Sequence, residues 1–178
     1  MGDNNEGEKK LSWATELGPT GPGPLTGGRV LGIDLGSRRI GVAVSDDGRR
    51  VASALTVLGR GVSHGHDHAL LSGVVRETEA TLVIVGLPLS LSGGAGPAAQ
   101  AVLDEVSEMR ANLAVPVDVC DERYSTVIAR RALAAGGRRP ATRRAVVDKM
   151  AAAAILQTWL DRQRAWPWPA QGPTSPPQ

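Results

Sequence analysis

Between Val30 and Asp46 the chain reads VLGIDLGSRRIGVAVSD. Two apolar runs of strand length flank a short turn around Gly36. A continuous apolar run of this kind suits a strand buried on both faces. Yet Asp34 stands in the middle of the first run, among Leu31, Ile33 and Leu35. A lone carboxylate there is costly to bury. The chain must therefore fold so that something meets Asp34.

The rest of the order follows from period and punctuation. Arg29–Leu35 reads as a strand, Gly36–Arg39 as a turn and Ile40–Ser45 as a second strand. Asp46–Gly48 carries a hairpin signal and Arg50–Val57 a third strand. After a Gly- and His-rich loop, Ala69–Glu79 has helical spacing. Leu82–Val85 is short and wholly apolar, as in a central parallel strand. Pro97 opens a helix at the favoured first position, with Val102, Val106, Met109 and Leu113 on one face. Val117–Cys120 is a fifth strand, and Ser125–Ala135 and Arg143–Arg164 are helices. The order βββαβαβαα implies an α/β fold, a mixed five-stranded sheet flanked by helices, which is the ribonuclease H-like order.

Residues 27–164 would form this domain. Residues 1–26, with GPTGPGPLTGG, read as a disordered leader, and 165–178 as a flexible Pro/Trp-rich tail. The scarcity of aromatics (four Trp, one Tyr, no Phe) leaves the core to Val, Leu, Ile and Ala. The single cysteine, Cys120, excludes an internal disulfide and suits a reducing cytoplasm. No apolar run reaches the roughly 18 residues of a membrane span.

Two further acids share the predicament of Asp34. Glu122 follows the fifth strand, in DERYST. Asp148 falls with Ala152, Ile155 and Trp159 at i, i+4, i+7 and i+11 of the last helix, on its apolar face. Acids from three separate elements, converging on one spot, are what a pair of Mg2+ or Mn2+ ions needs for phosphodiester hydrolysis. The plainer reading of each acid is an ion pair with an arginine.

The charge is uneven. The net charge is only +2, but Arg123, Arg130, Arg131, Arg138, Arg139, Arg143, Arg144 and Lys149 share one window with a single acid, Asp148. Such a stretch suits nucleic-acid phosphates, or is a solvated basic surface. Gly36 is expected to supply a sharp turn and Gly41 a close approach. Gly86 and Pro88 form either a substrate-side backbone or a plain strand exit. His64, His66 and His68 surround Asp67 in what reads as an exposed loop without function.

The stretches GIDLGSRRIGVAVSD, IVGLPLSLSG, DERYST and VDKMAAAAIL, in this order and spacing, resemble the YqgF (RuvX) family over about Arg29 to Leu160. The resemblance implies a ribonuclease H-like, divalent-metal nuclease, with Asp34, Glu122 and Asp148 as its acids. It also matches Arg123, as a phosphate contact or an ion pair with Asp121, and Ser125 and Thr126 at the start of the next helix. Ile128 replaces an acid or Gln found there in many members, and Ser90–Gly93 departs from the usual loop. Expected functions are processing of the 5′ end of pre-16S rRNA in ribosome biogenesis or, alternatively, resolution of Holliday junctions by a dimer in DNA recombination. A non-catalytic RNA-binding module is a third. Monomer and homodimer both stay open.

Overall fold

The computed structural model describes residues 27–89, 96–121 and 140–165, with the side chains of 140–147 outside that description. Among the described residues eight elements run in the order β1 (Arg29–Leu35), β2 (Arg39–Ser45), β3 (Ala52–Gly59), α1 (His64–Thr78), β4 (Ala80–Leu87), α2 (Pro97–Asn112), β5 (Val117–Asp121) and α3 (Pro140–Ala165). The helix expected over Ser125–Ala135 lies outside the described residues.

The strands form one sheet in the order β3-β2-β1-β4-β5. β1 pairs antiparallel with β2, as does β2 with β3, whereas β1–β4 and β4–β5 are parallel. The first three strands are thus the expected meander. The parallel strands are joined through helices, as crossover connections require. This is the expected mixed five-stranded sheet flanked by helices.

Alternation along the strands divides the core. Leu31 and Ile33 of β1, and Val83, Val85 and Leu87 of β4, point to one face with Leu71 and Val75 of α1 and Val102, Val106 and Met109 of α2. Val30, Ala43, Ile84 and Cys120 point to the other, against Ala152, Ile155, Leu156, Trp159 and Leu160 of α3. Among the described residues α3 covers that second face alone.

Small residues let α3 come that close. A Cβ on Gly32 would stand 2.6 Å from Leu156 Cβ and 2.9 Å from the Ala152 carbonyl oxygen. A Cβ on Gly41 would run into the Asp148 carbonyl. Gly41 was expected to permit a close approach, and the partner is the backbone of α3. Gln157 then fixes α3 to the edge of the sheet, accepting from Ala52 N (2.9 Å) and donating to the Arg50 carbonyl (3.1 Å).

Two local expectations are corrected. β3 begins at Ala52 rather than Arg50, because Asp46 holds the preceding residues in a loop. Its Oδ1 accepts from Arg50 N at 2.6 Å and Val51 N at 2.8 Å. These backbone donors, Val51 first and then Arg50, hold the Asp46 carboxyl below its usual range. Within this loop Arg49 takes a left-handed φ of 52°. Its side chain compensates by donating to the Gly28 carbonyl (2.8 Å) and Thr81 Oγ1 (2.9 Å).

The second correction concerns the histidines. α1 starts at His64, five residues before the predicted Ala69, so His64, His66 and His68 lie in a helix rather than a loop. Ser63 caps it, its hydroxyl accepting from His66 N. His64 and His66 are exposed, but Asp67 and His68 are buried.

Candidate active site

β1, β4 and β5 run parallel, so their C-terminal ends share one edge of the sheet. Asp34 is the penultimate residue of β1 and is partly buried. Val30 and Gly32 face α3, and the same alternation puts Asp34 on that face. Its partner across the ladder is Gly41. Gly41 is the residue pressed against the Asp148 backbone. One residue, Gly41, thus pairs with Asp34 and packs on the Asp148 backbone, although 114 positions separate the two acids in sequence. Glu122 follows Asp121, the last residue of β5, and lies outside the described residues.

Asp148 also meets a cation. Its Oδ2 stands 3.8 Å from Arg39 Nη1, both side chains being about one third exposed. Arg39 closes the β1–β2 turn, and Gly36, Ser37, Arg38, Arg39 and Asp148 line a depression of about 250 Å³. Gly36 serves this turn through space rather than through positive φ. Its N–H donates to the Arg39 carbonyl at 2.9 Å, and a Cβ there would stand 2.7 Å from the same oxygen.

A buried ionic cluster supports the turn from behind. Arg60 Nε donates to the Gly36 carbonyl at 3.0 Å, and Arg60 N donates to the Arg38 carbonyl at 3.0 Å. The Arg60 fork grips Glu105 through Nη1 (2.5 Å) and Nη2 (2.9 Å), and Nη1 also reaches Asp67 at 3.1 Å. The Glu105 hydrogen bonds raise the Arg60 guanidinium above its already high range, against the effect of burial. Burial alone would raise the Asp67 carboxyl. The Gly61 N–H at 2.7 Å and Arg60 outweigh it and hold Asp67 below the usual carboxylate range.

His68 borders this cluster. Its Nδ1 meets Asn112 Nδ2 at 3.2 Å, while Nε2 is buried with no hydrogen-bond partner among the described residues, 4.0 Å from Glu105 Oε1. His64 Nδ1 lies 2.9 Å from Glu108 Oε2. Among the described residues no three His, Cys, Asp or Glu side chains converge as a metal site.

Sequence reasoning missed Arg60, Asp67 and Glu105. The signal was present: Asp67 falls four and eight residues before Leu71 and Val75, and Glu105 lies three after Val102 and four before Met109. That is the apolar-face spacing that singled out Asp148.

Of the other expected residues, Gly86 is buried and Pro88 exposed at the end of β4, on the same sheet edge as Asp34. Arg123, Ser125, Thr126, Arg130, Arg131, Arg138 and Arg139 lie outside the described residues. Arg143 and Arg144 lie in the first turns of α3, where only the backbone is described. Cys120 is buried, as expected of a small hydrophobe.

Comparison with known proteins places this arrangement. A Mycobacterium ulcerans protein named "Putative pre-16S rRNA nuclease" is 47% identical over 148 residues, 82% of this chain and 86% of the relative. A protein of the same name from Roseiflexus sp. is 42% identical over 137 residues, 77% of this chain and 96% of the relative. Among solved structures, Thermus thermophilus RuvC in complex with a Holliday junction substrate superposes with a TM-score of 0.47 at 18% identity, covering 76% of this chain and 96% of that one. The family model described as "RuvX: Holliday junction resolvase" matches residues 28–162, and the chain belongs to the RuvX family.

Proposed function

We propose that the protein is a metal-dependent nuclease that hydrolyses phosphodiester bonds of structured nucleic acid, acting in the cytoplasm on the 5′ end of pre-16S rRNA. The observation that carries this reading is the pairing of Asp34 with Gly41, which is pressed against the Asp148 backbone, while Asp148 itself lines a depression with Ser37, Arg38 and Arg39. The names of the mycobacterial and Roseiflexus relatives supply the RNA.

The donors fit a hard cation. Asp34 and Asp148 offer carboxylate oxygens on one face, the ligand type that Mg2+ and Mn2+ prefer. Both would hold the metal, with Glu122 as the third acid in this reading. When bound, the metal would lower the pKa of a water and offset charge on the phosphate. The chain's own residues do the remainder. Asp34 is held by a strand, so its position is fixed before substrate arrives. Arg39 balances the charge of Asp148. Arg123 and the arginines from Arg130 to Arg144 would set affinity and register rather than sequence choice.

The description of the RuvX family favours a second reading, junction resolution, which needs two symmetric cuts and therefore a dimer. Purified full-length protein, given Mg2+ or Mn2+, separates the readings on two substrates. One is an RNA carrying the 16S 5′ precursor extension, the other a four-way DNA junction. Metal-dependent shortening of the RNA is expected. Paired symmetric nicks in the junction with intact RNA would favour resolution. RNA binding without cleavage of either would make the chain a binding module and contradict the proposal.

A further inference from the structure

We infer that the Ser37–Arg39 turn is a phosphate-binding jaw, resting on the nuclease reading: it takes one backbone phosphate of the substrate beside the acids, and Arg60 is the residue that positions it. The depression there is lined by two guanidinium-bearing residues and a hydroxyl against one carboxylate. That balance suits an anion. Its volume, about 250 Å³, is below the roughly 300–1,000 Å³ of pockets that enclose a whole small molecule. It therefore suits a phosphodiester passing over the surface rather than an enclosed nucleotide.

The backbone of the turn is fixed while Arg38 is presented outward. Arg38 is exposed, yet its carbonyl accepts from Arg60 N, and the neighbouring Gly36 carbonyl accepts from Arg60 Nε. Arg60 is itself fixed by Glu105 and Asp67, whose side chains are only 6% and 2% exposed. A turn that only joined two strands would need no such buried anchor. A turn that must hold a guanidinium still, ready for a phosphate, gains affinity from it, because less freedom is lost on binding. Arg39, 3.8 Å from Asp148, links the jaw to the acids.

The test uses the full-length chain and the 16S-precursor RNA, labelled for fluorescence anisotropy, in EDTA so that binding is read without metal-dependent cleavage. For Arg38→Ala, Kd should rise roughly tenfold, the worth of one charge-assisted hydrogen bond. The slope of log Kd against log salt should fall by about 1 in magnitude. Arg76→Ala, an exposed charge on α1, should change neither. Arg60→Lys keeps the buried charge but loses the fork. It should weaken binding, and Arg38→Ala/Arg60→Lys should be no weaker than Arg38→Ala alone. Circular dichroism checks folding; if Arg60→Lys does not fold, Arg38→Ala alone decides. An unchanged Kd and salt slope in Arg38→Ala, with wild type binding and cleaving the RNA, would overturn the jaw and leave the nuclease reading intact. Full additivity of the two substitutions would overturn the positioning role of Arg60. A wild type that neither binds nor cleaves the RNA would overturn both readings.

Discussion

Asp34, Asp67, Glu105 and Asp148 are all acids on apolar faces. Asp67 and Glu105 share the Arg60 guanidinium, and Asp67 also accepts from Gly61 N. Asp148 meets Arg39 at 3.8 Å. The geometry of the first pair makes a pH prediction. Asp67 is held below its usual value near 3.8, so its folded pKa lies under its unfolded one. Its stabilisation is complete above the unfolded pKa and fades as pH falls through the folded value. Asp67→Asn should therefore melt lower than wild type at pH 6. The gap in melting temperature should close as pH falls below about 3.8. A gap that stays constant from pH 6 to pH 2.5 would contradict this. Removing the cation instead, by Arg60→Ala, strands two buried carboxylates and should cost about 3–5 kcal/mol in urea unfolding.

At the scale of elements, the seating of α3 decides where Asp148 lies. Gly32 and Gly41 are both saddle points for that helix, but only Gly41 lies under Asp148 and opposite Asp34. Gly41→Ala should force the helix outward, costing about 1–3 kcal/mol. Gly32→Ala should cost a similar amount. Cleavage rates at a temperature where both variants are folded should separate them, with the greater loss for Gly41→Ala. Equal rates in the two variants would detach Asp148 from the active centre. All five strands and the helix face of Asp148 were legible, because runs such as VLGIDL and the spacing Asp148–Ala152–Ile155–Trp159 state burial locally. The start of α1 was not, because Gly65 and three histidines hide a helix that Ser63 caps and Asp67 pins to Gly61. The grip of Arg60 on Glu105 was not legible either. It joins residues 45 positions apart, and only the packed sheet brings them together.

At the scale of the whole molecule, one sheet separates two tasks. The face covered by α1 and α2 carries the Arg60 cluster and stabilises the β1–β2 turn. The face covered by α3 carries Asp34 near the end where the parallel strands finish, opposite the Gly41 on which the Asp148 backbone packs. Among the described residues no helix is long and apolar enough to cross a membrane. The most direct test of this division is RNA cleavage by wild type, Asp34→Asn and Asp148→Asn across a titration of Mn2+ and then of EDTA. The account predicts that wild type cleaves only with metal. Each variant should lose on the order of a hundredfold or more in rate, while folding and binding RNA as wild type does. Full-rate cleavage by either variant, or by wild type in excess EDTA, would contradict it.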